Sequence, residues 1–428
     1  MIFKDVYFLG SDNAVHRGDI AVRDGVIVYT GERAPVGDYG EVIEGKPRLV
    51  LPGFVNAHCH VPMTLLRGYG EGLPLDRWLY ERIFPFEAEM TEEDVYWGSL
   101  VGIAEMLTSG VTSFTDMYSF CGSVCRAVEL SGIKANVSRG LLSLDGGALR
   151  DSQGFYETEQ LFADWNGAAD GRIIADASIH AEYTSHPEFV RELAGFARSR
   201  DAGIHIHLSE TRKEHNECVE RHNMTPTQYF EHCGVFESRV TAAHCVHVTG
   251  EDMALLARHK ATAAHCPTSN LKLGSGIAPV PAMIKTGVAV ALGTDGASSN
   301  NNLNMLEEIH LAALIHSGVA EDSAILPPGE TLQLAARNGA LSQGRENTGV
   351  IDAGYKADFA VLSLDSLHLQ PLHDILTGAV YAAQSGDVEM TVVDGKILYR
   401  DNRVQTFDVR EAVEKATAAA HRIARLLP

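Results

Sequence analysis

Residues 48–60 read RLVLPGFVNAHCH, an apolar run that ends in two histidines one residue apart. The run of Leu, Val and Phe predicts a buried strand, and side chains two residues apart on a strand point to the same side. We therefore expect His58 and His60 to converge on one point at the end of that strand. Such a pair indicates either a metal site or two buried structural histidines, and the rest of the chain has to decide between them.

The middle of the chain repeats this pattern, in which a short β-branched run precedes a helical pattern. Seven further runs have the composition of buried strands: 111–118, 133–142, 172–180, 202–210, 239–245, 261–269 and 288–296. Eight such strands with intervening helices predict an α/β fold of the (β/α)8 TIM-barrel type, with a doubly wound open sheet as the alternative. Polar residues favour the barrel, because they recur at the carboxyl ends of the strands, which a barrel gathers into one mouth. These residues are Asp116, Arg139, His180, His207, His244, His265 and Asp295.

Two β-rich segments with Gly and Asp turns flank this middle, DIAVRDGVIVYTG at 19–31 and EMTVVDGKILYRDNR at 389–403. They predict a small β-sandwich domain built from both termini. The expected bounds are 1–52 for its N-terminal part, 53–346 for the barrel, and 347–428 for its C-terminal part plus a terminal helix.

The composition of the chain argues against two classes of binding partner, nucleic acids and membranes. The chain has 428 residues, 45% of them hydrophobic, and a formal net charge of −21, which disfavours nucleic acid and anionic membranes. No run approaches the roughly 20 apolar residues of a membrane span, and the N-terminus lacks the pattern of a secretory signal. The seven cysteines are an odd number scattered along the chain, which argues for reduced thiols and a cytoplasmic location. We expect no nucleic-acid or membrane partner.

Four residues at strand ends have the chemistry of metal ligands: His58, His60, His207 and Asp295. Three imidazole nitrogens and one carboxylate oxygen suit Zn²⁺ and also suit Fe²⁺. Buried structural histidines are the alternative for any one of them. A second His-x-His pair, His205 and His207, and an Asp in a Gly-Thr-Asp-Gly turn favour the metal site.

Five motifs in chain order resemble the amidohydrolase superfamily: PGFVNAHCH, HLSET, AAHCVH, HCPTSNLKLGSGIAPV and LGTDGASSNNNLNM. Within it the chain is similar to the methylthioadenosine/S-adenosylhomocysteine deaminases and their chlorohydrolase relatives, over nearly its whole length. The resemblance implies hydrolytic deamination of 6-aminopurine nucleosides to an inosine-type product and ammonia, by attack of a metal-bound hydroxide. Its substrates would be methylthioadenosine, S-adenosylhomocysteine, adenosine or 5′-deoxyadenosine. We also expect a homo-oligomer.

The resemblance further implies one metal ion per chain, Zn²⁺ ahead of Fe²⁺. Binuclear relatives take a bridging ligand from the fourth strand, commonly a carboxylated lysine, and here that strand, RIIADASIH, has no Lys. Glu210 matches the family's proton shuttle, and His244 matches the histidine that orients the hydroxide. Asp295 would serve as a ligand and as an acceptor for the water's proton. Ser298, Ser299 and the asparagines that follow are predicted to cap the next helix, with no catalytic role.

Substrate contacts are also implied by the resemblance. Glu87 matches a glutamate that holds the ribose hydroxyls, His180 matches a substrate-contacting histidine, and Trp78 lies where an aromatic residue can cover the substrate. Arg139 and Arg150 correspond to two arginines that hold the carboxylate of S-adenosylhomocysteine. Arg150 stands two residues away from the family's pattern, which counts against that substrate.

Two other functions remain open on the sequence. An amidohydrolase could deaminate or dechlorinate another amino-heterocycle, such as a triazine, a pterin or a guanine-like base, which would not require a ribose-binding Glu87. A catalytically silent barrel could act as a scaffold, and its sign would be the loss of Glu210 or of a ligand, all of which are present.

Overall fold

The computed structural model of the chain describes residues 1–144 and 146–427. The strands are, in chain order, β1 (Ile2–Leu9), β2 (Val15–Arg23), β3 (Val26–Gly31), β4 (Val42–Ile43), β5 (Arg48–Pro52), β6 (Phe54–Cys59), β7 (Val111–Tyr118), β8 (Lys134–Arg139), β9 (Ile173–Ala175), β10 (Ala177–Ile179), β11 (Ile204–Leu208), β12 (Val240–His244), β13 (Thr262–His265), β14 (Ala289–Leu292), β15 (Phe359–Ser363), β16 (Val388–Val393), β17 (Lys396–Arg400) and β18 (Arg403–Val404).

The helices follow the same order along the chain. They are α1 (Leu75–Trp78), α2 (Phe84–Ala88), α3 (Glu92–Thr108), α4 (Cys121–Ser131), α5 (Gln153–Asp164), α6 (Ala168–Gly171), α7 (Pro187–Ser199), α8 (Arg212–His222), α9 (Pro226–His232), α10 (Gly250–Arg258), α11 (Pro267–Lys272), α12 (Val280–Thr286), α13 (Met305–Ala320), α14 (Pro328–Ala335), α15 (Arg337–Ser342), α16 (Ile375–Tyr381) and α17 (Val409–Ala424). A π-helical turn, Leu79–Ile83, joins α1 to α2.

Strands β6 to β14 form a parallel barrel. Pairing runs β6-β7-β8-β9 and then β10-β11-β12-β13-β14, because the fourth barrel strand is split into β9 and β10 at Asp176. The barrel closes where the N–H of Asp295, just beyond β14, donates to the carbonyl of His58 on β6 (3.0 Å). This confirms the predicted TIM barrel over the open sheet.

Closure of the barrel depends on Gly293. A Cβ atom at this position would lie 2.9 Å from the backbone N and O atoms of His58, closer than two such atoms can approach. A side chain here would push the end of β14 away from β6. The glycine therefore allows the last strand to bring Asp295 next to the histidines of the first strand.

Helix α3, which packs on the barrel, begins with a capping box. Thr91 caps α3, accepting from the N–H of Asp94 (3.3 Å), while the Asp94 carboxylate accepts from the N–H of Thr91 (2.8 Å). This capping box satisfies two main-chain donors that the helix itself cannot. The helix then buries Val95, Leu100 and Ile103 against the barrel core.

The strands from both ends of the chain share one mixed sheet with the order β18-β17-β16-β15-β5-β1-β2-β3, and β4 pairs with β1. Within it β5 lies between β15, its antiparallel neighbour, and β1, its parallel neighbour. At the far edge Val26 bridges to Lys356, so the sheet curls round a core of its own that includes Phe3, Ile20 and Phe359. The predicted β-sandwich built from both termini is thereby confirmed. Within the described part of the chain, no helix has the length and apolar composition needed to cross a bilayer.

A buried ion-pair group connects the barrel to the terminal sheet. The Nζ atom of Lys134, at the start of β8, lies 2.6 Å from Asp358 Oδ2 and 2.9 Å from Asp394 Oδ1. Lys134 and Asp358 are each only 3% exposed. Burial alone would raise the pKa of Asp394, but Lys134 outweighs it, so that pKa lies below its usual value.

Replacing this lysine should destabilise the protein strongly. We expect Lys134→Met to lower the free energy of unfolding by about 3–5 kcal/mol at neutral pH, because the variant leaves two carboxylates without their buried partner. Denaturant unfolding followed by circular dichroism measures the change. The matched control is Lys4→Met, at an exposed lysine 3.9 Å from Glu44, which should cost less than about 1 kcal/mol. Equal losses in the two variants would contradict the structural role of Lys134.

Candidate active site

The carboxyl ends of the barrel strands carry the polar residues that the sequence analysis singled out. Residues there with left-handed main-chain conformations include Ser209 (φ 47°), His244 (φ 72°), Cys245 (φ 50°) and Asp295 (φ 62°). Non-glycine residues adopt this conformation at a cost, and such strain is concentrated at functional sites. Each of these residues turns the chain just where a strand reaches the mouth of the barrel.

The structure brings the four predicted metal ligands together. Asp295 Oδ1 lies 3.4 Å from His58 Nε2 and 3.3 Å from His60 Nε2. His60 Nε2 lies 3.3 Å from His207 Nε2. All four residues are less than 10% exposed. His244 is also close enough to His58 and His207 to share a cation with them, so the geometry alone allows a fifth ligand, which would be the fourth nitrogen.

The positions of the ring hydrogens on His60 and His207 are those expected of a site that binds a cation. Nδ1 of His60 lies 2.5 Å from the carbonyl of Met117, and Nδ1 of His207 lies 2.6 Å from the carbonyl of His180. Carbonyl oxygens only accept, so both Nδ1 atoms carry hydrogen and both Nε2 atoms of the neutral rings present lone pairs. Burial lowers the pKa of both rings, which keeps them neutral. Two lone pairs and a carboxylate then face one point, an arrangement that a divalent cation stabilises.

His58 supplies a further sign. Its ring is completely buried, and its Nε2 atom has no hydrogen-bond partner among the described residues. Burial lowers the pKa of His58 to about 4, so the ring is neutral at pH 7. A buried nitrogen without a partner is costly unless it ligates a metal.

Hydrogen bonds hold the carboxylate of Asp295 in place. Ser269 and Ser299 donate to Oδ2 (2.6 and 2.8 Å), and the N–H of Gly296 donates to Oδ1 (2.7 Å). The prediction that Ser299 helps to cap the next helix is wrong, since Asn304 caps α13 through the N–H of Leu306. Both serines closely follow strand-end residues, which is the one signal that could have identified them.

Glu210 and His244 lie side by side at the mouth. His244 Nε2 is 3.7 Å from Glu210 Oε2, and Ser275 donates to Glu210 Oε1 (3.3 Å). Burial raises the pKa of Glu210 above its usual value. Burial alone would lower the pKa of His244, but the carboxylates of Glu210 and Asp295 outweigh it and raise that pKa. A raised pKa favours the protonated form of the Glu210 carboxyl group, which suits a group that first donates and later accepts a proton.

Sequence reasoning missed Glu214, which holds the turn that carries Glu210. Its carboxylate accepts from the N–H groups of Ser209 (2.9 Å) and Glu210 (2.7 Å). It also forms a capping box with Thr211 at the start of α8. The spacing Thr-x-x-Glu at 211–214 is a capping signal in the sequence. Nothing in the sequence indicates that the same carboxylate also accepts from the N–H groups of Ser209 and Glu210.

The predicted substrate contacts Glu87, His180, Trp78 and Arg139 all line one cleft with His60, His207, Glu210, His244 and Asp295. Tyr118, Tyr183 and Phe84 line it too, although the sequence did not single them out. Burial raises the pKa of Glu87 to about 7. Burial also lowers the pKa of His180 to about 3, so this ring is neutral.

The two arginines differ in position. Arg139 reaches the cleft with its Nε donating to Glu157 (2.7 Å) and its Nη1 donating to the carbonyl of Gly140 (2.6 Å). Arg150 lies on the exposed turn Leu149–Asp151 and is not part of the cleft lining in the described structure. The structure therefore brings Arg139, but not Arg150, to the other predicted site residues.

Comparison with known proteins gives a consistent picture. The profile of the amidohydrolase family matches residues 49–398. A 5-methylthioadenosine/S-adenosylhomocysteine deaminase from Syntrophomonas wolfei is 42% identical over 417 residues, which cover 97% of this chain and 96% of that protein.

Solved structures share the architecture. An adenosine deaminase from Xanthomonas campestris with bound zinc superposes with a TM-score of 0.90 at 30% identity, covering 99% of this chain and 98% of that one. An atrazine chlorohydrolase from Arthrobacter aurescens in complex with zinc superposes with a TM-score of 0.91 at 22% identity, covering 98% and 99%. The latter likeness concerns the fold alone.

Removal of a bound metal should lower thermal stability. A ligand at 100 times its Kd stabilises the native state by about 2.7 kcal/mol, so we expect treatment with a chelator to lower the Tm and added Zn²⁺ to restore it. His207→Ala should lose this response. His16→Ala, at an exposed histidine on β2, is the control and should keep it. Differential scanning fluorimetry with and without Zn²⁺ measures the shift, and a wild-type Tm that is indifferent to zinc would contradict the site.

Proposed function

The chain belongs to the amidohydrolase family, and from that membership and the geometry of the cleft we propose that it deaminates 6-aminopurine nucleosides. The observation that carries the proposal is a single cleft lined by three of the candidate metal ligands, by the buried Glu210 with its raised pKa and by Glu87. The three ligands are His60, His207 and Asp295. The products would be an inosine-type nucleoside and ammonia. The presence of Glu210 and of every candidate ligand argues against a silent scaffold.

We propose that His58, His60, His207 and Asp295 hold one divalent ion, Zn²⁺ in preference to Fe²⁺. The zinc bound by the adenosine deaminase from X. campestris supports this choice of metal. An ion in this position lowers the pKa of water to about 7 and so supplies hydroxide at neutral pH. Oδ2 of Asp295 accepts from two serine hydroxyls, whereas Oδ1 accepts, among the described residues, only the N–H of Gly296 and so keeps a lone pair that could ligate the metal. The same carboxylate is the proposed acceptor for the proton of the water.

Glu210 is the proposed proton shuttle. In its protonated form, which a raised pKa favours, Glu210 would donate a proton to a ring nitrogen of the purine and make the adjacent C6 atom electrophilic. The Glu210 carboxylate would then take the hydroxyl proton from the oxygen added at C6 and pass it to the amino group, which leaves as ammonia. The other proton of the attacking water would replace the one that Glu210 gave to the ring. His244, 3.7 Å from Glu210, is placed to orient the attacking oxygen. Glu214 holds the Glu210 turn in place during this exchange.

Glu87, His180, Trp78 and Arg139 are the proposed substrate contacts. Glu87 lies on α2 and would accept hydrogen bonds from the ribose hydroxyls, while neutral His180 would contact the purine. The name of the S. wolfei relative supports methylthioadenosine and S-adenosylhomocysteine as substrates, and the X. campestris structure supports adenosine. We further propose a cytoplasmic homo-oligomer; the seven free cysteines are consistent with a reducing compartment.

The first test is deamination itself. Metal-loaded protein is expected to release ammonia from methylthioadenosine, adenosine, 5′-deoxyadenosine or S-adenosylhomocysteine, with loss of the adenine absorbance band. Glu210→Gln should lower kcat by about 10²- to 10⁴-fold, because the amide cannot carry the proton. Metal content determined alongside should stay at the wild-type level. Failure of the wild-type protein to convert any of the four nucleosides would refute the proposal.

Glu87 separates a nucleoside substrate from another amino-heterocycle. We expect Glu87→Gln to raise KM for methylthioadenosine about 10- to 100-fold at pH 8, since it replaces a charged acceptor of hydrogen bonds by a neutral one. The carboxylate form of Glu87 is present above its pKa of about 7 and is lost as the pH falls through that value. The wild-type KM should therefore rise below pH 7 and approach that of the variant.

Steady-state kinetics between pH 6 and 9 give the ratio of the two KM values. A ratio near one at every pH would favour a substrate without a ribose, such as a triazine or a pterin. Leu144→Gln, at an exposed residue outside that cleft, provides the matched control with an unchanged KM.

A further inference from the structure

The second His-x-His pair, His205 and His207, is only half explained by the proposed metal site. His207 is a candidate ligand, whereas His205 lies two residues earlier on β11 and is 1% exposed. Its Nε2 atom lies 2.9 Å from Nδ1 of His58, and the two rings meet edge to face with their centroids 4.9 Å apart. His205 thus contacts a candidate ligand from behind.

His58 differs from the other two histidine ligands in the partner of its Nδ1 atom. His60 and His207 each direct Nδ1 at a main-chain carbonyl, which can only accept and so fixes the tautomer of the ring. His58 faces an imidazole nitrogen, which can either donate or accept. The tautomer of His58 is therefore coupled to that of His205.

The two possible arrangements of the pair have opposite consequences. If His205 Nε2 accepts, Nδ1 of His58 carries the hydrogen and Nε2 of His58 directs a lone pair toward Asp295. Neutral His205 then carries its own hydrogen on Nδ1, which is buried and has no partner among the described residues, a cost that a metal ion bound at His58 would have to offset. If His205 Nε2 donates, neutral His58 must carry its hydrogen on Nε2, the atom that faces Asp295. That nitrogen would then have no lone pair with which to bind a metal ion. Nε2 of His58 has no hydrogen-bond partner among residues 1–144 and 146–427, so this atom is left for a ligand.

We propose that His205 is a positioning residue for the metal centre, whose Nε2 accepts the hydrogen of His58 Nδ1 and so keeps His58 Nε2 free to bind the ion. The inference rests on the metal site proposed above and adds a role for a residue outside its ligand set. Without the acceptor, His58 would have a buried N–H without a partner and a ring free to turn away. Partners that orient a ligand in this way typically change metal affinity 10- to 100-fold.

Three variants separate the acceptor from the space it fills. His205→Leu replaces the ring by an apolar side chain without an acceptor, whereas His205→Gln keeps an acceptor oxygen of similar reach. His316→Leu is the matched control, because it breaks another buried histidine contact, His265 Nε2 to His316 Nε2 (3.2 Å), whose residues do not line the cleft in the described structure.

Zinc affinity measured by competition with a chromophoric chelator is the main readout. We expect His205→Leu to bind zinc about 10- to 100-fold more weakly than the wild type, and His205→Gln and His316→Leu to stay within about threefold. The visible spectrum of the Co²⁺-substituted protein is a second readout that does not depend on turnover. It should change in His205→Leu, since His58 no longer ligates in its fixed orientation, and should be retained in His205→Gln.

Wild-type affinity in His205→Leu would overturn the inference, and so would an equal loss in His205→Gln, which would indicate packing rather than an acceptor. If His205→Leu does not fold, His205→Asn replaces it, because its shorter amide does not reach His58 and the same loss is expected. A wild-type protein that binds no zinc would instead refute the proposed metal site, so the two failures are distinguishable.

Discussion

The main-chain hydrogen bond from Asp295 to His58 joins the last barrel strand to the first, and the candidate site depends on it. The two histidines at the end of β6 and the aspartate beyond β14 lie at opposite ends of the barrel sequence, and only closure puts them within 3.4 Å of each other. Gly293 permits that closure because its missing side chain lets the two backbones touch. The same contact thus completes the fold and brings the four candidate metal ligands together.

The groups that form hydrogen bonds with the candidate ligands determine which ligand atoms face the site. Carbonyl groups of Met117 and His180 fix the protons of two rings, and two serines and a main-chain N–H fix the aspartate. These contacts decide which atoms point inward as lone pairs. A cation would therefore meet a set of atoms already oriented for it, which reduces the entropy lost on binding.

The strand-end residues could be predicted from the sequence, because position at the end of a parallel strand is a one-dimensional property that the barrel converts into proximity. His58, His207, His244 and Asp295 follow this rule. Ser269 and Glu214 do not, since they act from helices that start beyond the strands and reach back across loops whose paths are set by packing. The sequence pattern also did not indicate that the fourth barrel strand is interrupted at Asp176. Nor could the sequence show that Glu157 already binds Arg139, because those residues meet only when α5 packs beside β8.

The position of β5 in the terminal sheet has a consequence for synthesis on the ribosome. The strand lies between β1, which has already been made, and β15, which emerges only after the whole barrel. One edge of β5 therefore keeps its N–H and C=O groups unpaired while the barrel is translated, and such edges are where chains misassociate. The ion pairs of Lys134 also form late, because Asp358 and Asp394 belong to the segment that is translated after the barrel. Both needs are met once the C-terminal segment has left the ribosome. At that point β15 can pair with the free edge of β5, and Asp358 and Asp394 can pair with the buried Lys134.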